Sequence, residues 1–141
     1  QPQHYFMRVN KEIRVNGGIS PRIQNKQFPI TLSSGESATF EMDMAPPAGG
    51  WKSDGWLRIQ ADDPLVSSGW TAVFNGAKLE ATENVSEPYP TPYTALLGEP
   101  EQHRAWMVPV SAVKDGMNSI EIRMESGESA HTVVFIDLAI K

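Results

Sequence analysis

Cysteine is absent from the 141 residues. That excludes a disulfide framework and any metal site built on thiolates. Positive charge is scarce: 12 lysines and arginines stand against 17 acidic residues, for a net charge of −5. A nucleic-acid partner needs a concentrated cationic surface, so none is expected. Long apolar runs are also missing. The longest, Val133 to Ile140, is interrupted by Asp137 and is far too short to cross a bilayer, so no membrane partner is expected. Catalytic signatures are missing as well. There is no Gly-x-Ser-x-Gly, no His-Glu-x-x-His and no phosphate loop. His4, His103 and His131 are scattered, without a triad or ligand partner at a recognisable spacing. Asp62 and Asp63 are neighbours on a strand-like run, where adjacent side chains point to opposite faces, so they read as strand-end or turn residues before Pro64. No cofactor is expected. A structural calcium draws on carboxylates and loop carbonyls that leave no compact motif, so the sequence leaves it open.

What is present is alternation. Met7, Val9, Ile13 and Val15 share one phase, as do Phe40, Met42 and Met44, then Leu57, Ile59 and Ala61, then Ile120, Ile122 and Met124. Phe28 to Leu32 reads as a short strand. Trp70 to Asn75 and Ala77 to Thr82 read as the arms of a hairpin around Asn75-Gly76, the strongest short-range hairpin signal. Asp115-Gly116 supplies a second turn. No amphipathic helix of useful length is found, and most of the 11 glycines and 11 prolines fall between strands. About nine short strands punctuated in this way predict an all-β protein, a two-sheet antiparallel sandwich, filling 1–141 as a single domain. The chain begins at Gln1 rather than Met, which fits a piece excised from a larger multidomain protein. One segment departs from the rhythm: residues 83–103 carry Pro88, Pro90, Pro92 and Pro100 with Tyr89 and Tyr93. A loop of that length is either functional or an Ω-loop closing one end of the sandwich.

Two segments carry a family resemblance. Val108-Pro109 followed by Val113-Lys114-Asp115-Gly116-Met117-Asn118-Ser119-Ile120-Glu121-Ile122 resembles the strand–plug–turn–strand segment of galactose-binding-like jelly rolls, and Val73-Phe74-Asn75-Gly76-Ala77-Lys78-Leu79 is similar to their hairpin. The likeness covers roughly residues 56–141. Domains of this kind accompany bacterial glycoside hydrolases and polysaccharide lyases. The resemblance therefore implies a secreted or cell-surface bacterial setting and a non-catalytic carbohydrate-binding module that holds an attached enzyme near its polysaccharide. The alternative is a structural accessory domain that packs against the catalytic domain of the same chain and binds nothing. An enzyme reading lacks any converging constellation. All matched residues are structural, so no sugar-contacting residue follows from the motif.

The aromatics nominate a site. Four tryptophans are present. Trp51 lies in a Gly-rich polar loop, and Trp56 falls in the phase opposite to Leu57 and Ile59. Trp70 and Trp106 flank strands apolar in both phases and read as core. A sugar has an apolar C–H face that a ring can cover and a hydroxyl rim that polar side chains can satisfy. The expected carbohydrate contact is Trp51, Tyr89 and Tyr93 stacking at one end of the sandwich, with His103 and Arg104 donating hydrogen bonds. Trp56 with Arg58, on a sheet face, is the alternative site.

Overall fold

The computed structural model describes residues 3–8, 28–86 and 99–141. Ten strands fall within them: β1 (Gln3–Arg8), β2 (Ile30–Leu32), β3 (Ser37–Met44), β4 (Gly55–Ala61), β5 (Gly69–Phe74), β6 (Ala77–Lys78), β7 (Glu80–Thr82), β8 (His103–Val108), β9 (Gly116–Ser126) and β10 (His131–Ile140). Every pairing is antiparallel. The larger sheet runs β7-β8-β4-β10, and β1 and β2 follow one another along the far side of β10. The smaller sheet runs β3-β9-β5-β6. The expected antiparallel β-sandwich is what the chain forms.

The period-two patterns explain which faces meet. In β3, Phe40, Met42 and Met44 are buried while Glu41 and Asp43 are exposed. In β9, Asn118, Ile120, Ile122 and Met124 are buried on the same phase, and the register sets Phe40 and Phe74 on either side of Ile120. Across the core, Leu57, Ile59, Trp106, Ile136 and Leu138 fill the inner face of the larger sheet. Burying each such side chain is worth about 1.5–3 kcal/mol, so this interface dominates the stability of the fold.

The two turn motifs converge on one hydrogen-bond network. Asn75 (φ 49°) and Gly76 (φ 84°) both take the left-handed conformation of a two-residue hairpin turn. The Asn75 Nδ2 group donates to Asn118 Oδ1 and to the Ala112 carbonyl, each at 2.8 Å, and its Oδ1 accepts from the Ser119 amide at 2.8 Å. Asn118 is fully buried. It returns Nδ2 hydrogen bonds to the carbonyls of Lys114 (2.8 Å) and Gly116 (3.0 Å), and accepts from the Lys114 amide at 2.8 Å. The turn after the Val110–Ala112 3-10 segment is thereby fixed to the hairpin, and Ala112 and Val113 close that end of the core.

The hairpin departs from expectation in its second arm. Only Ala77 and Lys78 pair with β5. At Leu79 the chain crosses from the smaller sheet to the larger, where residues 80–82 pair with β8 as β7. Leu79 is buried at the crossing, and its amide donates to the Ala72 carbonyl at 2.9 Å. Strands that switch sheets are a usual way to turn the corner of a sandwich.

Candidate functional site

The sheet switch shapes an opening. Because β6 covers only Val73 and Phe74 of β5, and β7 covers only Ala105 to Met107 of β8, both edge strands stop short on the same side of the sandwich. A cleft of about 670 Å³ lies in the gap between the start of β5, the end of β7 and the start of β8. Its inner wall includes Trp70 and Trp106, and its rim carries Ser68, Thr82, Glu83, Glu101 and Arg104. The Pro100–Gln102 3-10 turn forms one lip. Gln102 Oε1 accepts from the Glu99 amide at 2.9 Å, and the Leu65 amide donates to the Glu101 carbonyl at 2.8 Å, so this lip is tied to the β4–β5 connection.

The aromatic wall is fixed by the core. Trp106 is buried on the inner face of the larger sheet, and Trp70 is buried with its Nε1 donating to Ser68 Oγ at 2.8 Å. His131 meets the Trp70 ring edge-on, 6.4 Å between centroids at 61°, and its Nδ1 lies 3.2 Å from Asp63 Oδ1. Trp70 and Trp106 thus take the core role read from the sequence. They also line the back of the cleft.

Arg104 sits on the inward phase of β8, opposite Ile59, at the mouth of the cleft. Its Nη2 donates to the carbonyls of Leu65 (2.6 Å) and Ser68 (3.4 Å), and its Nη1 to the His103 carbonyl (2.8 Å). Desolvation by burial pulls the guanidinium below its ordinary value. His103 lines the same cleft but is itself buried, with Nδ1 2.8 Å from the Glu99 carbonyl.

Among the described residues, the structure sets Trp51 apart from His103 and Arg104. Trp51 lies in the β3–β4 connection, beside the end of β10, where Lys52 and Ser53 donate backbone hydrogen bonds to the Lys141 carbonyl. His103 and Arg104 lie at the other end of β4, since Gly55 pairs with Val108 and Gln60 with His103. Five residue steps of about 3.3 Å separate those two ends, too far for a single stacked sugar. Trp51 is moreover half-buried against the core, not lying open on its loop. Tyr89 and Tyr93 lie outside the described residues.

The alternative pair is also interior. Arg58 and Asp137 face each other across β4 and β10 on the outward side of the larger sheet, with Nη2 3.4 Å from Oδ2 and side-chain exposures of 3% and 2%. Arg58 Nη1 further donates to the Val85 carbonyl at 3.3 Å. Alternation placed Arg58 correctly on the outward phase, but a central strand is covered on both faces here, so that phase does not mean solvent. Trp56, on the same face, is half-buried, and among the described residues its buried indole Nε1 has no hydrogen-bond partner. Sequence reasoning missed Ser68, Thr82, Glu83 and Glu101. Glu83 and Glu101 fall within the 83–103 segment set apart by its prolines, whereas the only signal of Ser68 and Thr82 is position at strand ends, which becomes meaningful once the crossing at Leu79 is known.

Among the described residues no group of three or more His, Asp or Glu side chains could hold a metal ion, and no helix is long and apolar enough to cross a membrane. No protein-family model and no curated protein sequence matches the chain. Solved structures do. BpGH86A, a β-porphyranase of glycoside hydrolase family 86 from the human gut bacterium Bacteroides plebeius, matches 79% of this chain with a TM-score of 0.50 at 17% identity. Two structures of BuGH86 in complex with neoagarooctaose match 78% and 77% of it, with TM-scores of 0.49 and 0.47 at 11% and 12% identity. The chain spans only 18%, 17% and 16% of those three chains, and at such identities the likeness is one of fold.

Proposed function

We propose that this sandwich is a non-catalytic, carbohydrate-binding accessory domain of a glycan-degrading enzyme, and that its sugar site is the cleft between β5, β7 and β8. The observation that carries the reading is the make-up of the cleft: Trp70 and Trp106 at its back and a rim of Ser68, Thr82, Glu83, Glu101 and Arg104. A saccharide needs that combination, an apolar wall for its C–H face and polar groups for its hydroxyls. The volume falls within the ~300–1,000 Å³ usual for small-ligand sites. The occurrence of a similar fold within a β-porphyranase adds support from a different direction. Hydrolysis by the domain itself is disfavoured by the setting of its carboxylates. Glu83 and Glu101 are both exposed, whereas a glycosidase acid keeps its proton through apolar enclosure.

Affinity electrophoresis in polysaccharide-containing gels tests the proposal. Ala81 is exposed on the edge strand and lines the cleft beside Trp106, its cross-strand partner, so Ala81→Trp fills the opening. Retention by the parent domain, with dissociation constants of about 1 mM to 1 µM, is expected to drop at least about tenfold in Ala81→Trp, a cost of some 1.4 kcal/mol. Lys78→Ala, also exposed but outside the cleft, is expected to behave as the parent. Retention that Ala81→Trp leaves unchanged would move the site elsewhere. A parent domain retained by no polymer would leave the structural-accessory reading in its place.

A further inference from the structure

Building on that reading of the cleft, we infer that it selects uncharged glycans and turns away sulfated or uronate-bearing chains. Among the described residues, two carboxylates, Glu83 and Glu101, and one guanidinium, Arg104, line the opening. Recognition of an anionic sugar would fall to Arg104, and Arg104 is already committed. Paired-donor recognition of a sulfate or carboxylate uses two parallel N–H groups from one edge of the guanidinium. Both edges that present such a pair include Nη2, and Nη2 is held by the carbonyls of Leu65 and Ser68. Nη1 gives one further hydrogen bond to the His103 carbonyl. Three of the five N–H groups are therefore directed at backbone oxygens, whose dipoles offset much of the positive charge.

The carboxylates meet no such restraint. Neither Glu83 nor Glu101 forms a salt bridge with Arg104, and both are exposed to whatever enters. They are acceptors for sugar hydroxyls and a source of negative potential for anything else. The net charge of −5 adds to that potential at longer range. An anionic substituent brought to about 6 Å from one carboxylate, at an effective dielectric near 40, is disfavoured on the order of tenfold. Hydroxyl-rich neutral chains incur no such penalty.

The test compares neutral polymers (agarose and laminarin) with a sulfated one (carrageenan) and a uronate (alginate), by affinity electrophoresis at low and high salt. The parent domain is expected to be retained by at least one neutral polymer and at least about tenfold less by both anionic ones at low salt, with the gap shrinking as salt screens it. In Glu83→Gln/Glu101→Gln, which keeps the side-chain size and removes both negative charges, the ratio of retention on the neutral polymer to retention on the anionic ones is expected to fall at least about threefold. Equal or stronger retention on carrageenan or alginate, or a gap that the double variant leaves unchanged, overturns the selectivity alone. Retention on none of the four removes the carbohydrate-binding reading itself, and the selectivity with it.

Discussion

Arg58 and Asp137 show how much one residue's surroundings can change its meaning. In sequence each is a polar break in an apolar pattern. In the fold they are a covered ion pair at the centre of the larger sheet. Taking two charges out of water is costly, and their attraction repays that cost only when both are present. Arg58→Ala is therefore expected to lower stability, by up to about 3–5 kcal/mol, because the covered Asp137 loses the guanidinium that faces it. Replacing both, Arg58→Met with Asp137→Leu, is expected to cost far less and to come out near neutral. Urea titration of the three proteins checks this. Equal losses in the single and double variants would mean that packing, not charge, sets the value of the pair. Asn75 and Asn118 behave the other way. Asn75 was legible as a turn residue from Asn-Gly, and Asn118 as the residue that starts the next strand through the family resemblance. What no pattern contains is that the two side chains meet at 2.8 Å.

At the scale of elements, strand phase was readable wherever one face alone is apolar. Phe40 to Met44 and Ile120 to Met124 lie as their alternation requires. Two features escaped that rule. On β4 the outward residues are covered as well, so polarity does not mark exposure. In Ala77 to Thr82, Leu79 is the only large apolar residue, and a single one cannot reveal on which side of it the chain changes sheets. Since the cleft exists because of that crossing, most of its rim was not named from the sequence, while His103 and Arg104, read there as hydrogen-bond donors, do line it. Leu79 is 6% exposed at the crossing, so Leu79→Ala is expected to cost about 2–4 kcal/mol in urea or thermal unfolding. A loss under about 1 kcal/mol would show that the surrounding side chains close over the space. Weaker glycan retention should accompany the larger loss, since both edge strands bordering the cleft are held by this side chain.

For the whole molecule, the fold class was legible because many short alternating strands admit few architectures. The pairing of distant strands was not, since register between them is written in packing rather than in local pattern. The first described strand and the last illustrate this: Gln3 is the antiparallel partner of Ile140. Partners of that kind have Cα atoms about 4.5–5.5 Å apart. A circular permutant in which Lys141 is joined to Gln1 by a short Gly/Ser linker, and the chain is opened between Gly49 and Gly50, is expected to fold. The opening lies in a turn held by one backbone hydrogen bond, from the Gly50 amide to the Pro47 carbonyl. Its melting temperature is expected within about 5 °C of the parent, the equivalent of about 1 kcal/mol. A permutant that loses its cooperative transition would show that the seam between β1 and β10 cannot form once the chain is reconnected. The seam has a further meaning for how such a unit travels between proteins. Entry and exit share one doorway, so the sandwich can be threaded into a surface loop of another protein as readily as joined to either end of it, with no change in the pairing of its own strands.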